Sequence, residues 1–179
     1  MKSTGEVMGL DRDFGRAFAK SQLASGATMP DGGRVFISVR DRDKPAMAEL
    51  GKKLIDMGFT LMATRGTADY LAGEGLAVEA VNKVAEGSPH CVDAMTGGEI
   101  QLVFNTTEGA QAIADSFSLR RATLVHHIPY HTTVAGCRAM VQAIAALAAD
   151  SLDVAPLQSY GNFMEKARQI GRASCRERV

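Results

Sequence analysis

Two threonine-bearing turns are the parts of this sequence best equipped to hold a negatively charged ligand. Thr64-Arg65-Gly66-Thr67 sets two hydroxyls around a glycine, and Asn105-Thr106-Thr107-Glu108-Gly109 repeats the theme further on. Each follows a short apolar run and precedes a stretch with helical spacing. The free N–H groups of a helix start would therefore stand beside the hydroxyls, and glycine lets the backbone approach a ligand. Lys44 and Lys83 follow two other apolar runs and would bring ammonium groups to the same rim. N–H and hydroxyl donors joined by two cations are the set a phosphorylated metabolite needs. Threonine also caps helices routinely, and for any one of Thr64, Thr67, Thr106 and Thr107 the pattern does not separate the two uses. Capping needs no lysine, so the repetition along one rim counts towards an anion site.

Other chemistry-bearing residues are weaker candidates. His126, His127 and His131 cluster, but no cysteine or carboxylate stands beside them at metal-ligand spacing. A hydrogen-bond network or a surface position is the expected role, and no metal site is expected. Asp93 follows Pro89-His90 in a loop near the expected rim. It could act as a general base or serve as an early-turn aspartate favoured by the helix dipole.

These residues need a scaffold that carries them to one place. Arg34 to Val39 reads as a buried strand, bounded by Asp31-Gly32-Gly33. Asp43-Lys44-Pro45 reads as a helix start, Met47, Leu50, Leu54 and Met57 fall near helical spacing, and Gly58 sits where a left-handed cap is wanted. Phe59–Ala63, Ala77–Val81 and Ile100–Phe104 are further strands. Helices are expected over 68–72, 92–96 and 110–124, the last with Ala112, Ile113, Phe117 and Leu119 on roughly one side. Thr132 or Thr133 should cap an alanine-rich helix running to about Ala149, with Val134, Cys137, Val141 and Ile144 inward. Strands alternating with helices argue for an α/β three-layer sandwich, a mostly parallel central sheet covered on both faces. Ligands in that architecture sit at the carboxyl ends of the strands, where both threonine turns fall.

Composition narrows the classes. The 179 residues suit one domain with an appendage. Twenty Lys and Arg balance twenty Asp and Glu, with no basic stripe to argue for nucleic acid. No apolar run is long enough for a membrane span and the amino terminus does not read as a signal peptide. Three widely spaced cysteines fit reduced thiols and a cytoplasmic protein. Residues 1–32 hold one short helix, over Asp11–Leu23 with Phe14, Ala17, Phe18 and Ser21, and then a linker with breakers at Gly26, Pro30 and Gly32. Such a piece buries no core of its own and is expected to belong to something larger. Pattern alone therefore gives a phosphate-binding α/β domain, with enzyme and sensor both open.

Several motifs carry a more specific resemblance. KSTGEVMG at residues 2–9, SVRDRDK at 38–44, ATRGT at 63–67, VNKVAEG at 81–87 and FNTTEG at 104–109 stand in order. Together they closely resemble the carboxyl-terminal end of the carbamoyl phosphate synthetase large subunit, over residues 1 to about 160. The resemblance implies that residues 1–32 are the end of the second ATP-grasp half plus a linker. It implies that 33–160 form a regulatory domain like methylglyoxal synthase, and that 161–179 are a tail. It implies an effector pocket for a nucleotide such as UMP or IMP, formed by Ser38, Lys44, Thr64, Gly66, Thr67, Lys83, Asn105, Thr106 and Thr107. Tyr130 and Thr132 match an ornithine contact of some members, with His131 where those members have an aspartate. The parent enzyme would use ATP and Mg or Mn to make carbamoyl phosphate for pyrimidine and arginine synthesis, with ammonia from glutamine supplied by a glutaminase small subunit. The fragment itself would carry no cofactor and no turnover, and would contact the catalytic half or form a homo-oligomer through the alanine-rich helix. The rival implication is a methylglyoxal-synthase-like lyase acting on dihydroxyacetone phosphate, with Asp93 in a position comparable to its carboxylate base. Against it, Cys91-Val92 stand where that enzyme has two glycines. Ile170 to Val179 (IGRASCRERV) reads as the in-frame translation of a sequencing adapter and is set aside from the functional reading.

Overall fold

In the computed structural model the described residues are 2–3, 5–106, 110–149, 152 and 154–160. A small antiparallel pair, β1 (Lys2–Ser3) and β2 (Glu6–Val7), precedes helix α1 (Phe14–Ala24). The main unit then runs β3 (Gly33–Val39), α2 (Lys44–Asp56), β4 (Phe59–Thr64), α3 (Arg65–Gly73), β5 (Val78–Val81), α4 (Cys91–Thr96), β6 (Ile100–Thr106), α5 (Ala110–Val125), β7 (Tyr130–His131) and α6 (Val134–Ala149). Five strands form one sheet in the order β5-β4-β3-β6-β7, and every pairing is parallel.

The continuous apolar runs of the strands find their reason in this sheet, because a parallel sheet is buried on both faces. Val35 and Ile37 point to one side, where they pack with Met47, Leu50 and Leu54 of α2 and Cys137, Met140, Val141 and Ile144 of α6. Phe36, Met62 and Val103 point to the other side, against Met95 of α4 and Leu119 and Ala122 of α5. Helix α2 ends as its sequence dictates: Gly58 adopts φ +90, a left-handed conformation that costs a side-chain-bearing residue more than it costs glycine. Thr133 caps α6 by accepting from the Gly136 N–H at 3.1 Å. Burial pushes the Cys91 and Cys137 thiols up to about 11 and about 12, so both stay protonated and free.

Three expectations move. Helix α3 begins at Arg65 rather than Ala68, so Arg65, Gly66 and Thr67 form its first turn. Strand β6 extends through Asn105 and Thr106, because these two pair in register with Ser38 and Val39 of β3. Phe117 is exposed, while Leu119, Ala122 and Thr123 form the buried side of α5; the side chains of Ala112 and Ile113 lie outside those described. Thr107 and the tail over 161–179 also lie outside the described residues.

Helix α1 docks on α6 through its small residues, with Gly15 and Ala19 buried and Phe14 largely exposed. A Cβ added at Gly15 would come 2.8 Å from the carbonyl oxygen of Gln142 and 3.3 Å from the Ala146 methyl. The alanine-rich surface of α6 thus receives a helix of its own chain. Among the described residues no helix is long and apolar enough to cross a membrane.

Candidate phosphate-binding cleft

The chain builds β3, then β4 and β5 on one side of it, and only afterwards β6 and β7 on the other. Such a reversal leaves a crevice beyond the carboxyl ends of the central strands. There the structure has a cleft of about 250 Å3, lined by Ser38, Val39, Arg40, Asp41, Lys44, Thr64, Gly66, Thr67, Lys83 and Thr106. Seven of the nine residues expected at an effector site converge here. Asn105 is not in the lining, and Thr107 is outside the described residues.

Thr64 occupies the position before the first turn of α3, yet its side chain makes no capping bond. Its hydroxyl instead faces Ser38 Oγ and Thr67 Oγ1, each at 3.4 Å. Thr67 Oγ1 lies 3.4 Å from the Val39 N–H, which joins α3 to the end of β3. Both threonines are almost wholly buried. The leading N–H groups of an α-helix have no partner inside the helix, and this cap residue leaves them facing the cleft. At Gly66 a Cβ would meet nothing nearer than the Lys44 ammonium, 4.0 Å away. Lys44 therefore reaches from the start of α2 to the start of α3. Its Nζ also sits 2.7 Å from Asp41 Oδ1 and 5.9 Å from the centre of the Tyr70 ring.

The opposite wall is anchored beneath the surface. Asp43 is buried; Arg40 Nε contacts its Oδ2 at 2.7 Å, and Thr106 lies beside it. Burial alone would raise this carboxyl, but the Arg40 guanidinium holds the pKa below the usual range, while the buried Thr106 hydroxyl makes no hydrogen bond among the described residues. Lys83 extends from the turn after β5, and its backbone N–H donates to Glu86 Oε2 at 2.9 Å. Arg40 and Asp41 were not singled out from the sequence. The signal was present in the SVRDRDK run, where residues just beyond a strand end share the rim with Ser38 and Lys44.

Asp93 is committed elsewhere. Its Oδ2 accepts from the His90 N–H at 3.0 Å and from Ser88 Oγ at 2.9 Å, while its own N–H donates to His90 Nδ1 at 3.2 Å. This reciprocal arrangement closes the start of α4, and Asp93 is not among the residues lining the cleft. The two donors, His90 N–H first, hold its carboxyl below the usual value.

Tyr130 and Thr132 line a separate cavity of about 540 Å3 with Arg120, Thr123, Leu124 and Ile128. The Tyr130 hydroxyl accepts from Asn105 Nδ2 at 2.8 Å and from Arg120 Nε at 3.3 Å. Asn105 is thus drawn to β7 instead of the cleft. His131 is half-buried against Phe104, ring centres 6.1 Å apart, and its partial burial lowers its pKa. His126 and His127 line a third cavity at the amino ends of the strands. Among the described residues no cluster of three His, Cys, Asp or Glu could hold a metal.

With the geometry in place, comparisons show what the chain is similar to. The family model described as "MGS-like domain" matches residues 46–132. Residues 46–132 carry an MGS-like domain. Over 160 residues the chain is 54% identical to a carbamoyl phosphate synthase large chain from Mesorhizobium japonicum, covering 89% of this chain and 14% of that one. The corresponding protein of Myxococcus xanthus is 55% identical over 160 residues, covering 89% of this chain and 15% of the relative. The chain thus spans about one seventh of the length of these relatives. A solved methylglyoxal synthase from Elizabethkingia anophelis NUHP1 superposes with a TM-score of 0.52 at 16% identity, covering 63% of this chain and 79% of that one. That likeness confirms the architecture of the MGS-like domain and carries no chemistry.

Proposed function

We propose that this MGS-like domain is the effector-binding regulatory part of a carbamoyl phosphate synthase large chain, and that its cleft takes the phosphate of a nucleoside monophosphate such as UMP or IMP. The observation that carries the proposal is the start of α3: Thr64 stands at the cap position without capping, and Lys44 Nζ sits beside Gly66. A capping role would have used the hydroxyl locally. A phosphate instead finds unpaired N–H groups, the positive end of the helix dipole and an ammonium at one place. Ser38, Thr64, Thr67 and Thr106 add hydroxyls, and Lys83 a second cation, while Thr107 completes the proposed set through the resemblance.

The parent enzyme would be cytoplasmic and would make carbamoyl phosphate for pyrimidine and arginine synthesis, with ATP, Mg or Mn and a glutaminase subunit as its further components. Residues 1–32 would then be the end of the preceding ATP-grasp half, and ornithine would be read by Tyr130 and Thr132. Control would work through differential binding: a nucleotide that favours one arrangement of this domain against the catalytic half shifts the active population by that difference and no more.

Calorimetric titration of the 179-residue chain with UMP, IMP and ornithine tests the reading. Saturable binding of UMP or IMP that is lost in Lys83→Ala supports it. The lyase reading predicts the reverse, methylglyoxal and free phosphate released from dihydroxyacetone phosphate and abolished in Asp93→Asn. The capping bonds of Asp93 weigh against that outcome, since a base must reach the proton it removes.

A further inference from the structure

The proposed phosphate site contains a carboxylate of its own. Asp41 Oδ1 lies 2.7 Å from Lys44 Nζ, and both residues line the cleft. The Asp41 side chain is 94% exposed whereas that of Lys44 is 15% exposed, so the carboxylate is free to swing away while the ammonium stays. The position of that ammonium also calls for an anion. It stands at the first turn of α3, where the helix dipole is positive, and like charge there is unfavourable.

We infer that Asp41 is an internal competitor for the phosphate, a specificity-determining residue that neutralises Lys44 and must be displaced when a phosphorylated ligand enters. The inference rests on the phosphate reading of the cleft. Asp41 holds the cation in place and keeps the cleft from retaining weak anions. A chloride or a single carboxylate gains too little from Lys44 to displace an anion tethered three residues away. A phosphate ester, with several strong acceptor oxygens, can replace the carboxylate on Lys44 and also use the α3 N–H groups and the hydroxyls. The consequence is discrimination by ligand charge. Asp41, like any aspartate, is ionised across the neutral range, and the Lys44 ammonium lowers its pKa further, so its competition persists there.

An exposed ion pair is a modest opponent, and its displacement should weaken phosphate binding about three- to tenfold. Asp41→Asn should therefore bind UMP and inorganic phosphate about three- to tenfold more tightly than the parent chain, with uridine affinity unchanged. The gain should vanish when the same change is made in a Lys44→Gln background, which separates competition at Lys44 from a general change of field. Asp41→Glu should restore the parent affinity. Binding to Asp41→Asn where the parent shows none would support the inference. If the parent binds UMP and Asp41→Asn binds it no more tightly, the competitor role is wrong while the phosphate site stands. If neither chain binds UMP or phosphate, both fail together. A melting-temperature scan runs alongside, since Asp41 also sits in the helical turn that opens α2.

Discussion

Two helix starts on this sheet solve the same problem in opposite ways. At α4 the start is closed by its own neighbours: His90 accepts from Asp93 N–H, Asp93 accepts from His90 N–H, and Ser88 adds a third bond. At α3 the cap residue is a threonine, among the better capping types, yet its hydroxyl turns to Ser38 and Thr67 and leaves the first turn open. A closed start stabilises the fold and has nothing left to give a ligand. An open start costs stability locally and becomes useful when a phosphate completes it. Volume does not separate function from scaffolding here: a cavity larger than the cleft, about 400 Å3 at the amino ends of the strands, has no comparable convergence of donors and cations.

The contrast can be broken most directly at Lys44. Lys44→Ala should weaken binding of UMP or IMP by about 1.5–3 kcal/mol, the range for a hydrogen bond to a charged group. Isothermal calorimetry reads this, and parent-like affinity would remove α3 from the account. Gly66→Ala is a sharper probe because the fold has room for the methyl, with only the Lys44 ammonium 4.0 Å away. Alanine is also the better helix former. Binding should fall about tenfold, or about 1.4 kcal/mol, while the melting temperature holds or rises. A fall in both would mean that the glycine serves the backbone and not the ligand.

Thr64→Val comes next in size. Because no capping bond is lost, it should leave the first turn of α3 as stable as before and weaken phosphate binding a few-fold, about 0.5–1.5 kcal/mol. Asp93→Asn should do the opposite. It should leave nucleotide affinity unchanged and lower the melting temperature by a few degrees, as loss of a cap does. Its pH signature follows from the direction of its shift. The folded carboxyl is depressed, so its contribution is present above the unfolded value of about 3.9 and fades as the pH falls through the folded value. Parent and variant should therefore differ in melting temperature at neutral pH and converge in acid. A difference that persists there would show that Asp93 does not act through its charge.

Much of the molecule was readable from the chain. The buried strand around Val35 to Ile37, the stop at Gly58 and the inward stripe of Cys137, Val141 and Ile144 follow from apolar periodicity and glycine's conformational range. Both are local properties of the sequence. Residue types likewise placed Lys44, Thr64, Gly66, Thr67, Lys83 and Thr106 on one rim, since strand ends in a parallel sheet converge, and Ser38 joined them through the resemblance alone.

Only the tertiary structure decided the rest. Asn105 looked equivalent to its neighbours, but pairing with Ser38 carried β6 further and the Tyr130 hydroxyl drew the amide away. Phe14 and Phe18 stood together on α1 in the sequence, but Phe18 packs against the core while Phe14 stays exposed, and α6 approaches so closely at Gly15 that a Cβ there would come 2.8 Å from the Gln142 carbonyl oxygen. Asp93 had two open roles until Ser88 and His90 closed around it. In each case the outcome depends on which group from a distant part of the chain arrives within 3 or 4 Å. Residue type and spacing hold the possibilities, and hydrogen-bond partners and contact distances, set by the packing of sheet and helices, choose among them.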